Sequence, residues 1–493
     1  MPARVSELHN SGQLVRQQRH RAALSRYLIA DLFALAYCLV LGLTFENGPA
    51  AENLGSILGL GIVLGGLCLL TFFSAGSRRI LFSSMISYGH LVFVASPAVM
   101  IGLGQVELRS DLRSSVAVLF LSFFFVIQLA LFGCSRPLPK GGRGVGEVSG
   151  SVHVIAWLFF VPSIIASYLA QGSLIASFLA PMSLVGIVLV TLVVATRPSL
   201  KQSIFPLMSL ALMMLIYATY QFDGFGRIVV ASYLLAIAIV LSWTRESFLP
   251  KLIVAIVTIP GILLLSTIRI VLVERDEGRR INLDESLGSV FAPFQIGAFL
   301  LQSNMDGTIA PTMGRSIFTS ALFWVPRSFW EAKPEGFGRA IVPFTNPQLV
   351  ASQGHSDAAP YLAEFVWDFG VWGIVPTLVL LFAILKMDRF LGYALSSQEG
   401  VRHLPHSVPL ITIWTVLLAM TLNLVWGGTF PYVSRTMTAI VVLMIFNRLW
   451  SGRARISRGD MDKEHSYAAL TVLKPKDEFP SVTHRNYLNS GMG

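Results

Sequence analysis

The sequence predicts an all-α protein that crosses a membrane many times, and three observations carry that prediction. Hydrophobic residues make up 54% of the 493 positions and charged ones only 13%, about half the charged share of an ordinary soluble domain. The mean hydropathy is +0.66. The apolar residues also fall into about twelve runs of roughly 17 to 25 residues, the length that crosses a ~30 Å hydrocarbon core as a helix. Such a composition excludes a disordered chain, a disulfide-stapled secreted domain and a soluble globular enzyme.

The runs lie at 27–45, 54–74, 80–103, 114–133, 152–170, 174–196, 203–221, 228–243, 251–273, 361–385, 408–426 and 430–448. Inside lipid every backbone polar group must find its partner within the segment, so each run is expected to be helical. The run 228–243 is short for a span and calls for tilt or for extension into its neighbours. No internal repeat is visible, which weighs against transporter architectures assembled from repeats.

Orientation follows from the basic residues. With the amino terminus in the cytoplasm, Arg78 and Arg79, Arg136 to Arg143, Arg197 and Lys201, Arg245 and Lys251, Lys386 to Arg402 and both tails fall inside. About 25 of the 37 Lys and Arg are then cytoplasmic, the bias that sets membrane topology. The formal charge of +10 therefore reports orientation first, and no nucleic-acid partner is expected. Residues 1–26 are polar and basic and the first run is long enough to span, so no cleavable signal is expected. Arg453, Arg455, Arg458 and Lys463 in the last tail suit anionic headgroups. Cys38, Cys68 and Cys134 give no disulfide framework and no thiolate metal site.

The segment 274–360 is an extracytoplasmic insert of roughly 87 residues, long enough to be functional. Its semi-apolar stretches Val290–Leu301 and Ile317–Val325 are too short for confident spans and suit interfacial or re-entrant helices. The predicted organisation is a basic tail (1–26), nine spans (27–273), the insert (274–360), three spans (361–448) and a second tail (449–493).

A charge near hydrocarbon is costly and marks a functional candidate. Here such charges converge on the outer side: Asp223 and Arg227 in the turn DGFGR, Arg269 in the outer half of its span, Arg327, Lys333 and Arg339 in the insert, Glu364 and Asp368 opening the tenth span, and Arg435 in the twelfth. Guanidinium forks match phosphate oxygens and lysine adds a compact charge. The same residues at helix ends also suit snorkelling to lipid headgroups. Arg109, Arg113, Arg275, Arg279 and Arg280 sit among acidic residues and read as solvated surface.

Glu364 and Asp368 are four residues apart, on one helix face, which suits proton transfer as well as neutralisation of the arginines. His355 is the one histidine expected outside and is a second candidate base. His90, inside the third run, is expected to hydrogen-bond a neighbouring helix. Trp324, Trp330, Trp367 and Trp372 suit stacking on sugar rings, or an interfacial belt. No metal-ligand spacing and no phosphate loop of the nucleotide-binding kind is present, GGRGVG at 141–146 being a basic cytoplasmic loop. No cofactor is expected.

The run Val325-Pro326-Arg327-Ser328-Phe329-Trp330-Glu331-Ala332-Lys333-Pro334 resembles the "PRs(l/i)WpxKP" segment of bacterial Wzy-type polymerases. The helix start from Tyr361 to Gly373 looks like that family's Glu-containing "gEaYxNFGxxG" segment, and Gly224-Phe225-Gly226-Arg227 is similar to its "sGxxR" turn. Asp368 stands where Asn is common and Phe365 where Tyr is common. The resemblance implies a type-C glycosyltransferase fold in the bacterial cytoplasmic membrane, with its active site outside. It implies transfer of a growing glycan from one undecaprenyl pyrophosphate to the nonreducing sugar of a newly flipped repeat unit, without metal or nucleotide.

Under that reading Arg227, Arg269, Arg327, Lys333 and Arg435 bind pyrophosphate, Glu364, His355 and Asp368 are the catalytic candidates, and Trp330 and Trp367 hold sugar. A flippase and a chain-length regulator would be partners beside the lipid substrates. An O-antigen ligase and a flippase for the same lipid-linked sugar are the alternatives.

Overall fold

The computed structural model describes residues 25–26, 28–42, 54–135, 148–169, 179–221, 227–245, 247–277, 283–325, 329–350, 356–396 and 408–448. Among them every regular element is helical. The helices are α1 (Leu28–Gly42), α2 (Leu54–Ser74), α3 (Phe82–Gly102), α4 (Ser114–Cys134), α5 (Ser151–Leu169), α6 (Met182–Thr196), α7 (Leu200–Tyr220) and α8 (Arg227–Thr244). They continue as α9 (Leu249–Glu277), α10 (Leu283–Met305), α11 (Arg315–Ala321), α12 (Tyr361–Phe369) and α13 (Ile374–Ser396). The last two are α14 (Val408–Gly427) and α15 (Thr429–Arg448).

Each apolar run expected to span falls largely on these helices, the tenth on two of them, α12 and α13. Among the described residues nine helices are long and apolar enough to cross a membrane, and ten if the halves of α9 form one span. The coarser expectation, an α-helical multi-pass membrane protein, is therefore met. The count falls below twelve because α1 and α6 are shorter apolar helices as described. Residues 1–24 and 449–493, the 136–147 loop and the turn before α8 lie outside the described residues.

Three helices depart from the straight rods that hydropathy suggests. α9 bends by 44° between Thr258 and Pro260, where proline removes a backbone donor and crowds the preceding turn. α3 contains a π turn over Leu91–Ala95. The tenth run is broken: α12 stops at Gly370, which takes a φ of 64°, and a 3-10 turn over Gly370–Gly373 leads into α13. Gly373 there lies so close to α12 that a Cβ would come 2.6 Å from the Phe365 carbonyl oxygen.

α6 sits at the centre, buried along almost its whole length, with α5, α7, α8 and α14 around it. At the end that carries the insert, α10 lies along the 107–113 turn. Gln295 and Gln302, two turns apart on one face, accept the Arg109 and Arg113 amides at 2.7 Å each. Arg109 and Arg113 pair with Asp111 and Asp306 at 2.6 Å, on partly exposed side chains, in line with a solvated surface.

The opposite end is held by a buried polar hub around the α2–α3 turn. Lys251 donates to the carbonyls of Phe72, Ala75 and Ser77 at 2.8, 2.6 and 3.0 Å, satisfying the carbonyls that α2 leaves open. Asp388 accepts the amides of Phe82 and Ser83 at 2.7 and 2.9 Å, doing the same for the start of α3. Trp243 donates to the Ile80 carbonyl at 2.9 Å.

Candidate functional site

A cavity of ≈ 1430 Å³ opens beside α8 and α9, with further walls from α10, the insert and the start of α15. Its first cation, Arg227, is the residue that opens α8, a position brought to the insert end by the length of the helix itself. Arg227 donates through Nη2 to Ser289 Oγ at 2.6 Å and through Nη1 to Ser266 Oγ at 3.2 Å. Arg269, one turn past Ser266 on α9, donates to the same Ser289 Oγ at 2.6 Å. One serine of α10 thus gathers two guanidinium groups from different helices.

Arg435 approaches from α15. It donates to Asn423 Oδ1, and Asn423 in turn donates to Ser232 Oγ of α8 at 3.2 Å. Asn423 Oδ1 is the one hydrogen-bond partner of this guanidinium among the described residues, so its charge faces the cavity against a neutral amide. Arg339 enters from the insert with Glu335 at 3.0 Å. All four arginines line the cavity.

Below them the wall is apolar, with Leu234, Ala238 and Leu241 of α8 facing Ile253, Val257 and Leu265 of α9, and Arg245 and Ser247 mark the far end. Along α8 the apolar lining from Ile228 to Leu241 extends about 20 Å at 1.5 Å per residue, about two thirds of the hydrocarbon thickness.

The roof comes from the insert. Gly336 lets the insert close on the start of α15 and Gly338 lets its two segments meet: a Cβ on Gly336 would stand 2.9 Å from Cδ1 of Phe430, and one on Gly338 would stand 2.6 Å from the Asp357 carbonyl oxygen. The Asp357 amide donates to the Gly338 carbonyl at 2.9 Å. Its carboxylate accepts from Thr345 Oγ1 and from Asn346 Nδ2 at 2.7 Å. Asp357 lines the cavity.

The sequence-predicted residues therefore divide. Arg227, Arg269 and Arg435 meet at one cavity. Glu364 and Asp368 are on one face of α12 but both are fully buried, and neither lines the cavity. Glu364 accepts from the Thr429 amide and from Thr429 Oγ1 at 2.8 Å. It closes the turn between α14 and α15, where Gly428 takes a φ of 87° and has no room for a side chain. Asp368 caps α11: it accepts from Ser316 Oγ at 2.6 Å, from the amides of Ser316 and Ile317 at 3.2 Å, and from Thr312 Oγ1. This is the role of an N-terminal capping carboxylate.

Lys333 donates to the carbonyls of Phe323 and Val325 at 2.8 and 2.7 Å and ties the insert to itself. Trp330 stands edge-on to Phe318 and Trp367 to Phe344, with ring centroids 6.0 and 5.5 Å apart; neither tryptophan lines the cavity. Asp223, Arg327 and His355 lie outside the described residues. His90 bonds its neighbours as expected, Gln128 of α4 at 2.9 Å and Tyr361 of α12 at 3.0 Å.

The residues missed as site candidates are Ser289 and Asp357, which line the cavity, and Ser266 and Asn423, which bond its arginines from behind. Only Asp357 carried a signal, being an acidic residue just ahead of a span in a long outer loop. Among the described residues no group of three or more His, Cys, Asp or Glu is placed to hold a metal ion.

Compared with known proteins, the chain matches no family model, no curated protein and no solved structure.

Proposed function

We propose that this protein is a membrane glycosyltransferase that polymerises oligosaccharide repeat units carried on undecaprenyl pyrophosphate, at the outer face of a bacterial cytoplasmic membrane. Arg435 carries the case for an anionic lipid. A cation among apolar helices is expensive without an opposite charge, yet Arg435 is held only by an uncharged amide among the described residues and lines a cavity shared with Arg227, Arg269 and Arg339. A pyrophosphate brings the missing negative charge. The apolar remainder of the cavity, about 20 Å long at 1.5 Å per residue of α8 from Ile228 to Leu241, suits a long lipid tail.

The chemistry suits the same groups. When a glycosyl pyrophosphate is cleaved, negative charge builds on the leaving oxygen, and cations fixed in a water-poor site stabilise that charge without having to reorganise. The donor is already activated, so no nucleotide enters the step. Ser289, Ser266 and Asn423 fix the guanidinium groups in place before substrate arrives.

A ligase that passes the glycan to another acceptor would use the same cavity, and a flippase is favoured by one observation, the continuation of the cavity to Arg245. One experiment tests all three. Purified protein is given a defined lipid-linked repeat unit without nucleotide or added divalent metal, and products are resolved by size. A ladder on undecaprenyl pyrophosphate is expected. A folded preparation that leaves the substrate unchanged while moving it between leaflets of a vesicle would overturn the polymerase in favour of the flippase.

A further inference from the structure

We infer that Asp357 takes the proton from the attacking hydroxyl of the acceptor sugar, an assignment that rests on the glycosyl-transfer reading above. Among the described residues Asp357 is the one carboxylate that lines the arginine cavity. It belongs to the roof, where an acceptor entering from the insert side would meet a donor whose pyrophosphate sits on the arginines. Its orientation is fixed twice, by Thr345 and Asn346 on the carboxylate and by the bond of its amide to Gly338. Arg339 stands next to Gly338 in the same strip of roof and lines the same cavity. A carboxylate oriented by hydrogen bonds, with cations placed for the leaving group, is the arrangement that a displacement at a glycosyl carbon needs.

Glu364 lacks the access this role requires. It is 0% exposed, and the close approach of Gly428 and Thr429 seals it inside the protein. Asp357, 8% exposed, is reached through the cavity.

The step balances as follows. The acceptor O–H bond breaks and its proton passes to the Asp357 carboxylate. The freed oxygen pair forms the new bond to the anomeric carbon, and the bond from that carbon to the pyrophosphate oxygen breaks with its electron pair remaining on that oxygen. Pyrophosphate lipid departs as an anion beside the arginines, and Asp357 returns its proton to water through the roof.

Azide separates a base from a merely structural residue, because it attacks the glycosyl carbon without giving up a proton. With purified protein and a lipid-linked repeat unit, chain growth and formation of the glycosyl azide are measured side by side. In Asp357→Asn growth is expected to fall by about 10²-fold or more, with azide product within about twofold of wild type. Asp357→Ser, which likewise lacks a basic carboxylate, carries the same test if the asparagine variant does not fold. Growth within about threefold of wild type, or azide product falling together with growth, overturns the role of Asp357. If wild-type protein makes neither ladder nor azide product, the glycosyl-transfer reading falls and takes this assignment with it.

Discussion

The two ends of this helix bundle both bury cations, and they use them in opposite ways. At the end away from the insert, Lys251 is 0% exposed and each of its donors is matched to a carbonyl of the α2 terminus, with Asp388 completing the same turn from the other side. At the insert end, Arg435 is held by one amide and faces a cavity. Charge is equally unwelcome in hydrocarbon at either end. Where its partners are all internal the charge is architecture; where part of its demand is left to a cavity, it points to a ligand.

The largest effect separating the two ends is expected from Lys251→Met. It removes the ammonium donor from three carbonyls, of which that of Ala75 keeps Ser84 Oγ at 3.1 Å, so roughly 2 kcal/mol of stability is lost at about 1 kcal/mol for each bond not replaced. Thermal unfolding in detergent should register a large drop in Tm, while the protein that remains folded binds pyrophosphate lipid normally. A small change in Tm would break the contrast from this side.

Arg435→Gln should give the reverse pattern. Removing a charge-assisted contact to phosphate costs about 2 kcal/mol of binding, roughly 30-fold. Stability should stay level or rise, because a buried charge without an opposite charge has been removed. Asn423→Ala acts one step back: Arg435 keeps its charge but loses its orientation, and about tenfold weaker binding is expected. Both are read by titrating the purified variants with undecaprenyl pyrophosphate.

The smallest effect is expected from Glu335→Gln. Its pair with Arg339 is roughly half exposed on both sides, and such pairs contribute under about 1 kcal/mol. Binding should change by less than about threefold, in the direction of tighter, since Arg339 loses a competing anion. A loss of binding would mean that Glu335 does more than neutralise its neighbour.

The spans were legible in the sequence because hydropathy reports the solvent a helix meets, and that property survives any detail of packing. α2 and α4 begin where the apolar runs begin for this reason. The break at Gly370 was not legible, since the apolar run continues through it and only the backbone angle reveals the turn. Convergence of Arg227, Arg269 and Arg435 was expected from their common side of the membrane. The choice among carboxylates was not available in the same way. Glu364 and Asp368 have the spacing of a paired site, but i, i+4 spacing fixes only a shared helix face and not what that face meets: Thr429 for one, the start of α11 for the other. Asp357 has no periodic neighbours at all, and its place in the cavity depends on glycines at 336 and 338 that let the roof close. Lys333 belongs to the same lesson, a conspicuous cation occupied by its own loop's carbonyls.

The central claim is that the cavity recognises a negatively charged headgroup on a long lipid tail. Parallel titration of wild-type protein and Arg435→Gln with undecaprenyl pyrophosphate and with the uncharged alcohol undecaprenol tests it most directly. The pyrophosphate should bind wild type far more tightly than the alcohol, and most of that difference should vanish in Arg435→Gln while alcohol binding stays unchanged. Equal binding of the two lipids, or a preference that survives the loss of Arg435, would contradict the account.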